Sequence, residues 1–216
     1  MKTFLYLALL LYSQLSWATP PEKITLQLHW KHQFEYAGYY IAKEKGYYRD
    51  AGLEVVLKEL PRGRTEMELL LAGEADYAIT GSNVLVDRIH GEPLVAVAAY
   101  TQYSPIALLV REDSGIRTVE DLRGKRIMVS KDNLTIFAML NQAGLQSSDY
   151  PIQPQSFNLQ DLVNGKTDAF AAFTTNQGFL LKEQGVSYRY IVPTDFGIDT
   201  YSDVLITTEQ EATHHR

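Results

Sequence analysis

Strand-like and helix-like stretches alternate along this chain with short connections, and that alternation is the pattern of an α/β fold built from parallel crossovers. Apolar and β-branched runs predict strands at Ile24–Trp30, Leu53–Leu60, Ala75–Gly81, Leu94–Thr101, Ile106–Val110, Lys125–Ser130, Pro151–Phe157, Ala169–Thr174, Tyr188–Val192 and Val204–Thr207. Helical periodicity spans Tyr36–Lys45, Arg64–Ala72, Ser82–His90 and Leu134–Ala143. A glycine closes each of these stretches, at Gly46, Gly73, Gly91 and Gly144, where a left-handed C-terminal cap needs a residue without a Cβ. Thr118-Val-Glu-Asp121 and Asn158-Leu-Gln-Asp161 place a capping oxygen three residues before a carboxylate.

The two halves echo each other. Leu70-Leu-Ala-Gly-Glu-Ala-Asp-Tyr-Ala-Ile79 reads like Leu162-Val-Asn-Gly-Lys-Thr-Asp-Ala-Phe-Ala171: a helix end, a glycine, a charged residue, an aspartate and a buried strand. Asp76 and Asp168 repeat too regularly for ligand contacts and are read as turn-forming or capping residues. The repeat predicts two similar lobes, residues 22–103 and 104–193, with a crossover near Tyr100–Ile106. A return segment, 194–216, starts near Pro193–Tyr201. Two crossings make a hinge, with a ligand held between the lobes.

Residues 1–18 read as a cleaved secretory signal: Lys2, the apolar run Phe4 to Leu11, then Ser13-Gln-Leu-Ser-Trp-Ala18, with cleavage after Ala18. The apolar run is far short of the roughly 20 residues that span a bilayer, so a periplasmic location is expected. Removing Lys2 with the signal leaves 19 basic residues against 26 acidic, a formal charge of −7 that argues against a nucleic-acid partner. With no cysteine in the chain, disulfides, thiolate zinc sites and a cysteine nucleophile are excluded. There is no Gly-x-Ser-x-Gly elbow, phosphate-binding glycine loop or His-Glu-x-x-His site, so no catalytic constellation, cofactor or metal is expected.

Several motifs in order carry a resemblance: Trp30 with the run to Gly46-Tyr-Tyr-Arg-Asp-Ala-Gly-Leu53, Leu71-Ala-Gly-Glu-Ala-Asp76, Gly91-Glu-Pro93, Asp121-Leu-Arg-Gly-Lys125 and Gly165-Lys-Thr-Asp168. Over nearly all of residues 24–208 the chain resembles the periplasmic substrate-binding proteins of the SsuA/THI5-like (NMT1/THI5) family. The resemblance implies a type II periplasmic binding fold whose two α/β lobes close on a small ligand, often a thiamine-related pyrimidine or a sulfonate. It also implies delivery to an ABC permease, or to a membrane sensor, by a monomer. Leu28-His-Trp-Lys-His-Gln-Phe34 and Asp195-Phe-Gly-Ile-Asp-Thr-Tyr201 look most like the family's sensing domains. The family includes enzymes that make the thiamine pyrimidine from their own histidine and a lysine-bound pyridoxal phosphate. Here Thr80 stands at the lysine position and Val84 at the histidine position, and the cysteine-rich segment of those enzymes is absent. Relatives usually continue beyond the strand matching Val204–Thr207 with helices that return to the first lobe, and these are expected to be missing after the Ala212–Arg216 tail with its His214 and His215.

The aromatic-rich junction after the first strand supplies the leading site residue. Trp30 would stack on a planar ligand and donate one hydrogen bond. Of Phe34, Tyr36, Tyr39 and Tyr40, which a helix points in different directions, Tyr39 is assigned to the cleft. His29 and His32 lack the partners of a metal site and are read as structural or ligand-bonding. Thr80, Ser82 and Asn83 open a helix after the third strand and offer a hydroxyl and amides, with helix capping by Ser82 as the rival reading. Tyr103 lies at the crossover. Asn133, Thr174 and Asn176 stand at the matching junctions of the second lobe, where capping is the stronger reading for each asparagine taken alone. Asp199 and Tyr201 of the return segment offer a carboxylate for an amino-pyrimidine and a second stacking ring.

Overall fold

The computed structural model describes residues 20–214, so the expected signal peptide and His215 lie outside the described residues. Among the described residues no helix is long and apolar enough to cross a membrane. The chain divides into two compact units, residues 1–77 and 78–216.

In the first unit β1 (Glu22–Gln27) and β2 (Leu53–Lys58) pair in parallel, from Glu22↔Leu53 to Gln27↔Lys58. Between them lie a 3-10 turn (Phe34–Tyr36), α1 (Ala37–Glu44) and α2 (Tyr47–Asp50), the helical crossover that a parallel pair requires. Gly46, at φ 78°, turns the chain from α1 into α2. Then α3 (Glu66–Leu71) opens on a capping box, in which the Glu68 N–H donates to the Thr65 hydroxyl and the Thr65 N–H to the Glu68 carboxylate. The first strand is shorter than the sequence predicts. Leu28 still donates to the Lys58 carbonyl and the Trp30 carbonyl accepts from the Leu60 N–H, but residues 29–32 form bends, so Trp30 follows the strand instead of ending it.

The second unit takes most of β3 (Tyr77–Thr80), then α4 (Val84–Ile89), β4 (Leu94–Thr101), β5 (Ile106–Arg111) and β6 (Ile127–Met128). It continues through α5 (Leu134–Gln142), β7 (Ile152–Gln153), α6 (Gln160–Val163), β8 (Ala169–Phe173), α7 (Gln177–Glu183) and β9 (Tyr188–Ile191). β10 (Asp203–Thr208) and α8 (Glu209–His214) complete it. Its five-stranded sheet has the order β7-β6-β8-β5-β9. β6 runs parallel to β7 and β8, whereas β5 is antiparallel to β8 and β9. The α/β fold has its parallel crossovers, but β5, reached from β4 by the four residues Gln102–Pro105, runs against its neighbours β8 and β9. β8 and β9, joined through α7, then run in one direction on either side of it. β10 pairs antiparallel with β4. One face of the sheet packs Leu108, Val110, Ile127, Ile136, Met139 and Leu140 into a core, and the other packs Leu109, Leu162, Phe170 and Leu181. α8 replaces the expected tail over Ala212–His214; the His214 ring contacts the Gln210 carbonyl at 2.7 Å along it.

The repeated aspartates do the same job twice. Asp76 accepts from the Thr25 N–H at 2.7 Å while its own N–H donates to the Thr25 carbonyl. Asp168 accepts from the Arg126 N–H at 2.8 Å while its own N–H donates to the Arg126 carbonyl. Asp168 therefore clamps the start of β8 to the start of β6, which fixes register, and Asp76 holds Thr25 in the middle of β1 by the same pair of bonds. The Arg126 guanidinium adds an ion pair to Asp168 at 2.7 Å.

Candidate functional site

Two connections in the second unit join the β4–β10 pair to the five-stranded sheet, and they are hydrogen-bonded to each other. The Ser202 N–H donates to the Thr101 carbonyl and the Ser104 N–H to the Thr200 carbonyl, both at 3.0 Å. The Thr200 hydroxyl lies 2.9 Å from that of Thr135 in the first turn of α5, and the Thr174 N–H donates to the Pro105 carbonyl at 2.8 Å. Two linkers tied side by side in this way can flex together as a hinge.

The turn after β3 is drawn to the same place. The Ser82 hydroxyl donates to the Tyr201 carbonyl at 2.8 Å, and the Asn83 side-chain amide donates to the Asp132 carbonyl at 2.9 Å. Ser82 is thus engaged with the return segment rather than with its own helix, whose N-cap, Asn83, makes no side-chain capping bond. Asn133 does cap: its Oδ1 accepts from the Ile136 N–H at 3.1 Å. Asn133→Ala is therefore expected to lower stability by about 1 kcal/mol in denaturant titrations, whatever else Asn133 does. Asn176 opens α7 without a side-chain cap. Thr174, Asn176 and Asp199 are exposed, as are the rings of Tyr103 and Tyr201, whereas Thr80 is buried at the end of β3.

In the first unit Trp30 is 37% exposed and Tyr39 is half-buried on α1. Tyr36 is a core residue and Phe34 faces solvent, in line with the expectation that the aromatic run divides between packing and surface. The Tyr40 hydroxyl contacts His32 Nδ1, with the two rings edge-on at 5.8 Å, and the His32 N–H donates to Glu59 at 2.8 Å. Burial and then the Glu59 charge hold the Tyr40 hydroxyl pKa above its ordinary value. Among the described residues no group of three or more His, Cys, Asp or Glu stands close enough to hold a metal ion.

Asp132, Thr135, Thr200 and Asp203 border these linkers and are not among the site residues nominated from sequence. A carbonyl acceptor leaves no residue-type signal, and a last strand read as starting at Val204 leaves Asp203 outside it. A charged residue leading an apolar strand is the signal that marks it.

The model of the family described as NMT1/THI5 like matches residues 33–216. The chain is 27% identical over 185 residues to the riboflavin-binding protein RibY of Chloroflexus aurantiacus, covering 81% of this chain and 52% of that protein. It is 25% identical over 167 residues to the 4-amino-5-hydroxymethyl-2-methylpyrimidine phosphate synthase THI13 of Saccharomyces cerevisiae, covering 75% and 49%. The chain thus spans about half the length of these two relatives. Among solved structures it is similar to the periplasmic aliphatic sulphonate binding protein SsuA of Escherichia coli, with a TM-score of 0.68 at 23% identity over 90% of this chain and 67% of that one. That likeness shows the fold, a type II periplasmic binding architecture.

Proposed function

Because this chain belongs to the NMT1/THI5-like family, we propose that it is a solute-binding protein acting outside the cytoplasm. It captures a small planar or anionic ligand, such as a thiamine-type pyrimidine, and hands it to an ABC permease or reports occupancy through a membrane sensor. The observation that carries this reading is the pair of hydrogen-bonded linkers with polar groups gathered around it. A hinge beside convergent donors and acceptors serves capture and release. The proposed lobes are residues 22–103 and 104–193, with 194–216 returning to the first. Thr80, Ser82, Asn83, Tyr103, Asn133, Thr174, Asn176, Asp199 and Tyr201 are its proposed polar and aromatic contacts in the second unit. Trp30 and Tyr39 enter on the sequence argument as stacking rings.

The yeast relative favours a second reading, pyrimidine synthesis. That chemistry needs a lysine to hold pyridoxal phosphate and a histidine to be consumed. Thr80 and Val84 occupy those positions and both are buried, so the residues present do not fit the cofactor and no step through it is derived. Mass spectrometry after incubation with pyridoxal phosphate and iron should show neither a lysine adduct nor histidine loss.

The binding reading is tested by Trp30→Ala. Calorimetry with 4-amino-5-hydroxymethyl-2-methylpyrimidine should show affinity reduced by about 1–3 kcal/mol, the scale of losing a large aromatic contact in a site. Unchanged affinity would overturn this assignment.

A further inference from the structure

Two aspartates in the described chain are buried, and they differ in how they are satisfied. Asp161 accepts from the Ser156 hydroxyl at 2.7 Å and lies 3.0 Å from the Lys166 ammonium. Asp203 is only 3% exposed, and its Oδ1 is buried without a hydrogen-bond partner. A carboxylate oxygen held out of water without a donor is costly, so such atoms are few and usually signal a missing partner.

Its position says what kind of partner. Asp203 is the first residue of β10, directly after the linker that Ser202 and Thr200 tie to Thr101 and Ser104. The pairing slips at this point: Asp203 faces Thr101, but Val204 faces Ala99, so Tyr100 is the extra residue of a bulge. Bulges beside sites re-aim side chains at the point where regular pairing stops. The Ser202 carbonyl, one residue earlier, is 3.5 Å from where a Cβ on Gly81 would sit, and the Ser82 hydroxyl reaches the Tyr201 carbonyl. Asp203 therefore sits where the linker, the bulge and the turn after β3 meet.

We propose that Asp203 is a specificity-determining residue of the solute site, accepting hydrogen bonds from the N–H groups of an amine- or amino-heterocycle-bearing ligand. The proposal rests on the solute-binding reading and narrows its ligand class. A carboxylate repels an anionic headgroup, so Asp203 selects nitrogen donors over sulfonates. Its desolvation cost falls only when such a donor arrives, which links occupancy to the hinge beside it.

The test uses Asp203→Asn in the full chain, with 4-amino-5-hydroxymethyl-2-methylpyrimidine and methanesulfonate as probes. Wild type should bind the aminopyrimidine, and Asp203→Asn should weaken that binding at least tenfold. The ligand-free variant should melt at the wild-type temperature or above it, because the buried Oδ1 has no hydrogen bond within the fold to lose. A ligand-free melt several degrees lower would make Asp203 a structural residue and overturn the proposal. So would aminopyrimidine binding that is unchanged in the variant, or wild-type binding of methanesulfonate alone. If wild type binds neither probe, the solute-binding reading fails for these ligands. An unlowered melt of the variant would then still support a carboxylate that the fold itself does not use.

Discussion

Gly178→Ala is expected to lose about 2–3 kcal/mol of stability, although glycine to alanine inside a helix ordinarily gains close to 1 kcal/mol. The reversal of sign comes from what surrounds the position. Gly178 is buried in the first turn of α7, and an added Cβ would press on the Tyr190 hydroxyl and lie 2.6 Å from that of Tyr188. These two rings pack edge-on at 5.3 Å, so neither can yield without disturbing the other. The Gly178 N–H also donates to Tyr190 Oη at 2.7 Å, a bond that any shift of the helix would break. Burial holds the Tyr190 hydroxyl pKa above its usual value, so it stays protonated through the neutral range. Denaturant unfolding that finds Gly178→Ala as stable as wild type, or more so, would show that α7 does not seat on β9 through these tyrosines.

Asp168→Ala should be comparably damaging, at about 2–3 kcal/mol, because it removes both the register clamp on β6 and the partner of Arg126. The effect carries a pH signature. Hydrogen bonding from Arg126 is the main cause holding the Asp168 carboxyl below the usual carboxylate range. A depressed folded pKa means that the stabilisation is complete above the unfolded value, near about 3.9. It is lost as pH falls through the folded value. The stability gap between wild type and Asp168→Ala should therefore be constant near neutrality and shrink at acidic pH. A gap independent of pH down to strong acid would contradict the clamp. Asp121, lowered mainly by the Arg117 and Thr118 N–H groups that it accepts, titrates in the same sense in both proteins.

Local pattern made much of this fold legible. All ten predicted strands exist, and Gly46, Gly73, Gly91 and Gly144 all take positive φ. Strand direction was not legible, because β5 takes its antiparallel pairing from β8 and β9, far along the chain, and not from its own residues. α2, α6, α7 and α8 fall outside the predicted helical stretches, since four to seven residues carry too little periodicity to stand out from neighbouring loops. The site divides along the same line. Residues at strand ends could be nominated from sequence, but Asn83 meeting Asp132 and Ser82 meeting Tyr201 join positions 49 and 119 residues apart. Asn133 shows the opposite case: its capping bond spans three residues, and capping was the favoured reading.

The central claim, capture of a small solute, is tested most directly by the melting temperature of the full chain against graded concentrations of aminopyrimidines, sulfonates, amino acids and polyamines. A ligand bound only by the folded protein adds about 2.7 kcal/mol of stability at a hundredfold excess over its Kd. A saturable rise of several degrees is expected with one class, the amino-bearing heterocycles. A melt unmoved by every class up to millimolar concentration would contradict it.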